Sequence, residues 1–115
     1  MTVTATRYLE FVFLPSFERT AEGLFSDDDV RALEQALIHD PRAGDVVPGT
    51  GGVRKVRVAV EGRGKRGGSR VVYLYVEVRS RIYLLLAYAK NEQADLSPEQ
   101  ARRVRQLVEH LKREG

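Results

Sequence analysis

The 115-residue chain contains no cysteine, which excludes disulfides, a thiolate nucleophile and any sulfur-ligated metal. Long apolar runs are missing too. None approaches the roughly 20 residues of a membrane span, and the opening stretch from Met1 to Glu10 lacks the apolar core of a secretory signal. A cytoplasmic protein with no membrane partner is therefore expected. Proline is scarce, with four residues, and 43% hydrophobic against 30% charged residues is the balance of a globular domain, not of a disordered chain. A chain of this length buries one core comfortably and two poorly, so residues 1–115 read as a single domain. No internal repeat interrupts that reading.

A strong excess of one charge is also absent, since the formal net charge is only +3. The distribution is more informative than the sum. Arg54, Lys55, Arg57, Arg63, Lys65, Arg66 and Arg70 crowd one segment, opposed there by Glu61 alone. The first half is acidic by comparison, with Glu18, Glu22, Asp27, Asp28, Asp29, Glu34, Asp40 and Asp45.

Periodicity and punctuation predict an α+β fold. Residues 8–14 (YLEFVFL) form an aromatic and β-branched run ended by Pro15, an opening strand. Ser26 followed by three aspartates is a helix start, with a hydroxyl cap and carboxylates where the helix dipole favours them. Val30, Leu33 and Leu37 continue it at helical spacing, and Asp40-Pro41 stops it. Residues 44–52 (GDVVPGTGG) are a connecting loop, and Gly51-Gly52 leads into a strand where a phosphate-binding loop would need Gly-Lys-Ser/Thr opening a helix. From 53 to 60 the residues alternate, placing Val56, Val58 and Val60 on one face and Lys55 and Arg57 on the other. After a glycine-rich basic turn at 61–69, two apolar runs at 71–78 and 82–88 read as buried strands joined by a hairpin at Arg79-Ser80. Ser97-Pro98-Glu99-Gln100 caps a last helix, whose stripe is Ala101, Val104, Leu107, Val108 and Leu111. The economical assembly is a compact antiparallel sheet with an N-terminal helix or helices and a C-terminal helix packed on it.

On adjacent strands Lys55 and Arg57 are expected to share a face with Arg70 or Tyr73, with Arg54 beside them and Arg63, Lys65 and Arg66 at the rim. Tyr88 and Lys90 lie two apart and fall on one side if the last strand continues. Such a surface offers phosphates several donors, and a tyrosine ring offers an unpaired base a stacking surface. Basic turns are often merely solvated, and lysines protect sheet edges. Here the glycines permit close backbone approach, arginine outnumbers lysine, and acidic partners are nearly missing.

Other chemistries find less support. His39 and His110 lie in different helices with no second ligand at metal spacing, and each reads as solvent-facing. Ser69, Ser80 and Ser97 occupy turns or a cap. Helix initiation accounts for residues 27–29, so magnesium-dependent nuclease chemistry is disfavoured.

Taken together, residues 49–57 (GTGGVRKVR), 62–73 (GRGKRGGSRVVY) and 88–92 (YAKNE), with Asp95 and Leu96, resemble the RelE superfamily of type II toxin–antitoxin toxins, most closely its HigB branch. The resemblance runs from about Tyr8 to Leu111. It implies a microbial ribonuclease-like fold and a ribosome-dependent, metal-independent endoribonuclease that cuts mRNA without a cofactor. It also implies neutralisation by a cognate antitoxin, HigA-like and DNA-binding. Lys55 and Arg57 match paired basic positions on the family's second strand, Arg70 matches the arginine beginning the third, and Lys90, with Tyr88 beside it, matches a basic position after the last. Where RelE carries an arginine just after that lysine and a tyrosine soon after, this chain has Asn91 and Ser97.

RNA supplies its own nucleophile, so a protein need only align the 2′-hydroxyl, remove its proton, neutralise the phosphate and protonate the leaving oxygen. Lys55 is the first choice for the base, followed by Lys90 or Tyr88, while Arg57 and Arg70 clamp the phosphate. Two alternatives from other classes are a ParE-like gyrase inhibitor, which has no need of such a basic site, and a non-catalytic nucleic-acid-binding module.

Overall fold

Serine starts both long helices. The computed structural model describes residues 2–5, 9–58 and 68–114. In it Ser26 accepts a hydrogen bond from the Asp29 amide while the Asp29 carboxylate accepts from the Ser26 amide, which opens α2 (Asp27–His39) with a reciprocal cap. Ser97 and Gln100 do the same for α3 (Pro98–Arg113), with Pro98 in the first turn where its missing N–H costs nothing. Leu33 and Leu37 of α2, and Val104, Val108 and Leu111 of α3, are buried, the inner members of the stripes expected from sequence. His39 and His110 are exposed, as expected.

Six strands form one sheet in the order β1-β2-β6-β5-β4-β3, namely β1 (Thr2–Ala5), β2 (Glu10–Phe13), β3 (Asp45–Val46), β4 (Arg54–Val58), β5 (Ser69–Val76) and β6 (Arg81–Ala89). The expectation of an antiparallel sheet needs one correction, because β2 runs parallel to β6 while all other pairs are antiparallel. Helices α1 (Pro15–Ala21) and α2 carry the chain from β2 to the far edge, and three reversals then bring β6 back in the same direction as β2. Alternation within a strand encodes its faces and not its direction. Pro15 ends the strand as expected, but it also begins α1.

The junction between β5 and β6 also departs from the simple hairpin. Strand β5 stops at Val76, and Glu77–Arg79 make one 3₁₀ turn closed by Ser80 in the left-handed region at φ 49°. That turn directs the Arg79 guanidinium at the Leu111 carbonyl oxygen, 2.9 Å away, so a cation satisfies acceptors left over at the end of α3.

Two apolar layers flank the sheet. On one face Phe11, Phe13, Val71, Tyr73, Ile82 and Leu84 pack under Phe17, Leu33 and Leu37 of α1 and α2. On the other, Val12, Val72, Leu74, Tyr83, Leu85 and Tyr88 pack under Val104, Val108 and Leu111 of α3. The α+β architecture expected from sequence is thus three-layered, and Lys55 and Arg57 of β4 and Arg70 of β5 lie on the α3 side. Among the described residues no helix is long and apolar enough to cross a membrane.

Candidate active site

Register brings the cations together. Arg57 on β4 is paired with Arg70 on β5, and Arg70 is paired in turn with Tyr88 on β6, so the three form a row across the sheet on its α3 face. Lys55, two residues back from Arg57 and opposite Val72, lies on the same face. Strand spacing of about 4.8 Å sets neighbours in such a row at the scale of one phosphate group. Placing two arginines directly opposite each other costs about 0.2–1 kcal/mol. The pairing concentrates positive charge on one patch of the sheet.

Tyr88 reaches this row through a β-bulge. Val72 pairs with Leu86 and Tyr73 with Leu84, which leaves Leu85 as the extra residue on β6. Leu85 and Leu86 both point to the α3 side, whereas strict alternation from Ile82 and Leu84 would have sent Leu86 and Tyr88 to the α2 side. The Ser16 hydroxyl donates to the Leu85 carbonyl oxygen at 2.5 Å and the Ala87 amide donates to the Thr20 hydroxyl at 2.9 Å, so α1 satisfies the edge of β6 where β2 has ended.

The Tyr88 side chain is buried, and its hydroxyl has no hydrogen-bond partner among the described residues. Burial holds the phenol above the ordinary tyrosine range, Asp95 adds to the effect and Arg70 opposes it. The ring is covered and so does not present the open stacking surface expected from sequence; its hydroxyl is buried with no hydrogen-bond partner among the described residues. Lys90 follows the strand instead of continuing it. Its amide donates to Gly68 and its ammonium donates to the Ala94 carbonyl oxygen at 2.7 Å. Gly68, at φ +55°, occupies a place where a Cβ would come 2.8 Å from the Val58 carbonyl oxygen, so this glycine serves the closeness of β4 and β5.

Asp95 is the residue sequence reasoning did not assign a role. Its Oδ1 lies 3.2 Å from the Lys55 ammonium and accepts the Leu96 amide at 2.8 Å. The Leu96 N–H, followed by Lys55 and Lys90, holds its carboxyl below the ordinary aspartate range against an opposing contribution from burial. Lys55 is therefore not surrounded by cations alone. The signal was present, since Asp95 stands in the last motif, but no local pattern ties it to Lys55, 40 residues earlier. Because the folded carboxyl titrates below the unfolded one, the stabilisation it gives is present above the ordinary aspartate pKa and is lost as pH falls through the lower folded value. Carboxyl-carbon NMR is expected to show Asp95 titrating at a depressed pH, and Lys55→Ala to move that midpoint only part of the way back, because the Leu96 N–H remains. A full return to the ordinary range would contradict the leading contribution of that amide.

Two residues expected on the basic face lie elsewhere. Tyr73 is fully buried on the α2 side, where its hydroxyl accepts the Gly44 amide at 2.9 Å and donates to the Pro41 carbonyl oxygen at 3.0 Å. Burial raises its pKa. Arg54 shares that side and donates to the Gly44 carbonyl oxygen at 2.8 Å. The even spacing of Arg54 and Val56 on β4 accounts for this, as the alternation that exposes Lys55 and Arg57 turns Arg54 away. Arg63, Lys65 and Arg66 lie outside the described residues.

The geometry defines a small three-layered α+β protein with a cationic row and a buried tyrosine on one sheet face. The sequence model of the RelE toxin of the RelE/RelB toxin-antitoxin system matches residues 16–114, and the chain belongs to this RelE toxin family. Among solved structures it is similar in fold to the isolated E. coli RelE toxin, at 15% identity over 87% of this chain and 98% of that one with a TM-score of 0.53. A mutant of the E. coli RelE toxin in the free state gives 14% identity, 84% and 95% coverage and a TM-score of 0.53. The protein is thus a toxin of a toxin–antitoxin system, and the family implies an antitoxin partner.

Proposed function

We propose that this toxin is a ribosome-dependent mRNA endoribonuclease of the HigB type, held inactive by a HigA-like, DNA-binding antitoxin in the cytoplasm. The Arg57–Arg70–Tyr88 row with Lys55 beside it carries the reading. Arg57 and Arg70 neutralise the non-bridging phosphate oxygens as charge grows on them. Lys55, in its neutral amine form, takes the proton of the 2′-hydroxyl as that oxygen bonds to phosphorus. The bond to the 5′-oxygen breaks, and a proton from Tyr88 or Lys90 completes a 5′-hydroxyl, leaving a 2′,3′-cyclic phosphate. A phenol held neutral and unpartnered suits a proton donor better than an acceptor. Weak acids and bases make cleavage of free RNA slow, and a ribosome supplies the substrate alignment the protein lacks.

Primer extension on cellular mRNA after controlled expression tests the reading. Cuts confined to translated frames are expected, and Lys55→Ala is expected to abolish them while co-sedimentation with ribosomes largely survives. Equal loss of both would point to a binding module without catalysis, and intact messages with halted DNA replication to a gyrase inhibitor.

A further inference from the structure

Beside the cationic row lies a polar groove of about 440 Å³, walled by Ala87, Tyr88 and Ala89 of β6, by Thr20, Glu22, Gly23 and Leu24, and by Glu92, Gln93 and Gln100. Its amide orientations are fixed by bonding logic. The Ser97 backbone N–H can only donate, so the atom it reaches at 2.9 Å is the Gln100 carbonyl oxygen. That oxygen also receives the Gln93 amide nitrogen at 2.8 Å, and the same nitrogen donates to the Asp95 main-chain oxygen at 2.8 Å. Both Gln93 hydrogens are thereby used. Among the described residues this leaves the Gln93 side-chain oxygen as an unspent acceptor and the Gln100 side-chain nitrogen as an unspent donor, on adjacent amides.

The rest of the groove is rich in acceptors. Glu22 and Glu92 are exposed and form no ion pair among the described residues. Two carboxylates repel a phosphate, so the groove is matched to a part of the ligand that carries N–H donors and no negative charge. Tyr88 belongs both to the groove wall and to the row, so the two lie side by side.

Resting on the RNA-cutting reading of the row, we propose that this groove is a nucleobase subsite that takes an amino-bearing base, adenine, cytosine or guanine, in preference to uracil. A base with an exocyclic amino group gives N–H donors to Gln93, Glu22 or Glu92 and keeps an acceptor for Gln100. Uracil presents two carbonyl oxygens and a single N–H, and its lone pairs face carboxylates. Phosphate and base are thereby sorted to two neighbouring places on either side of Tyr88.

The probe is a set of non-cleavable 2′-O-methyl oligonucleotides, oligo(A), oligo(C) and oligo(U), whose binding to the full chain is measured by fluorescence anisotropy at low salt. Oligo(A) and oligo(C) are expected to bind at least about fivefold more tightly than oligo(U), the low end for one good bidentate base contact. Glu22→Gln with Glu92→Gln, which preserves shape, is expected to shrink that ratio to below about twofold, mainly by tighter binding of oligo(U). Gln93→Leu is expected to shrink it by weakening oligo(A) and oligo(C). Arg57→Ala is expected to weaken all three alike and leave the ratio. Equal wild-type binding of the three oligonucleotides, or an unchanged ratio in both groove variants, would overturn the subsite while the weakening by Arg57→Ala left the phosphate row standing. Failure of Arg57→Ala to weaken any of them would instead overturn the RNA reading on which the subsite rests.

Discussion

Arg70→Ala is expected to lower message cleavage on translating ribosomes by about two to three orders of magnitude, the usual cost of removing one fixed donor to a transition-state anion. Arg57→Ala is expected to do the same. Arg70→Lys is expected to recover only part of the loss, because an ammonium keeps the charge but not the planar fork that grips two phosphate oxygens. Stability is the readout that separates this from structural damage. Arg57 is exposed and stands directly opposite Arg70, so truncating it removes a like-charge cross-strand pair. Thermal unfolding of Arg57→Ala is therefore expected at the wild-type temperature or slightly above, while its cleavage collapses. A parallel loss of Tm and cleavage would make the row a packing feature instead of a phosphate clamp.

How far the site was legible in the sequence depended on whether a local rule governed each residue. Lys55 and Arg57 were readable because a two-residue period on β4 needs no knowledge of the neighbours. The helix starts were readable for the same reason, since Ser26 and Ser97 form caps closed within three residues. Tyr88 came to the right face only because Leu85 is an extra residue, and nothing in the run RIYLLLAY says where a bulge falls. The parallel pairing of β2 with β6 and the Lys55–Asp95 contact join residues far apart in the chain, beyond the reach of any local pattern. Tyr73 shows the reverse difficulty. An aromatic residue three positions after an arginine fits a nucleic-acid surface on composition, whereas its parity along β5 puts it opposite to Arg70, deep in the layer beneath α2.

Tyrosine to phenylalanine at two positions is expected to give opposite signatures. At Tyr73 the lost hydroxyl leaves the buried Gly44 amide without its acceptor, which costs about 1–3 kcal/mol and lowers Tm by roughly 4 °C per kcal/mol. Tyr73→Ala adds a cavity where the side chain is fully buried, and a total of about 3–5 kcal/mol is expected, a large share of the stability of a domain of this size. Cleavage per folded molecule should survive the phenylalanine change, because the Tyr73 hydroxyl ties the loop at Pro41 and Gly44 on the side of the sheet away from Arg57 and Arg70. At Tyr88 the hydroxyl has no partner among the described residues to lose, so Tyr88→Phe should leave Tm unchanged or raise it. Its cleavage rate should fall by about two orders of magnitude if that phenol delivers the proton to the leaving oxygen. Full activity in Tyr88→Phe would transfer that proton to Lys90, the other donor at the end of β6, whose ammonium is then the group whose removal must stop the reaction.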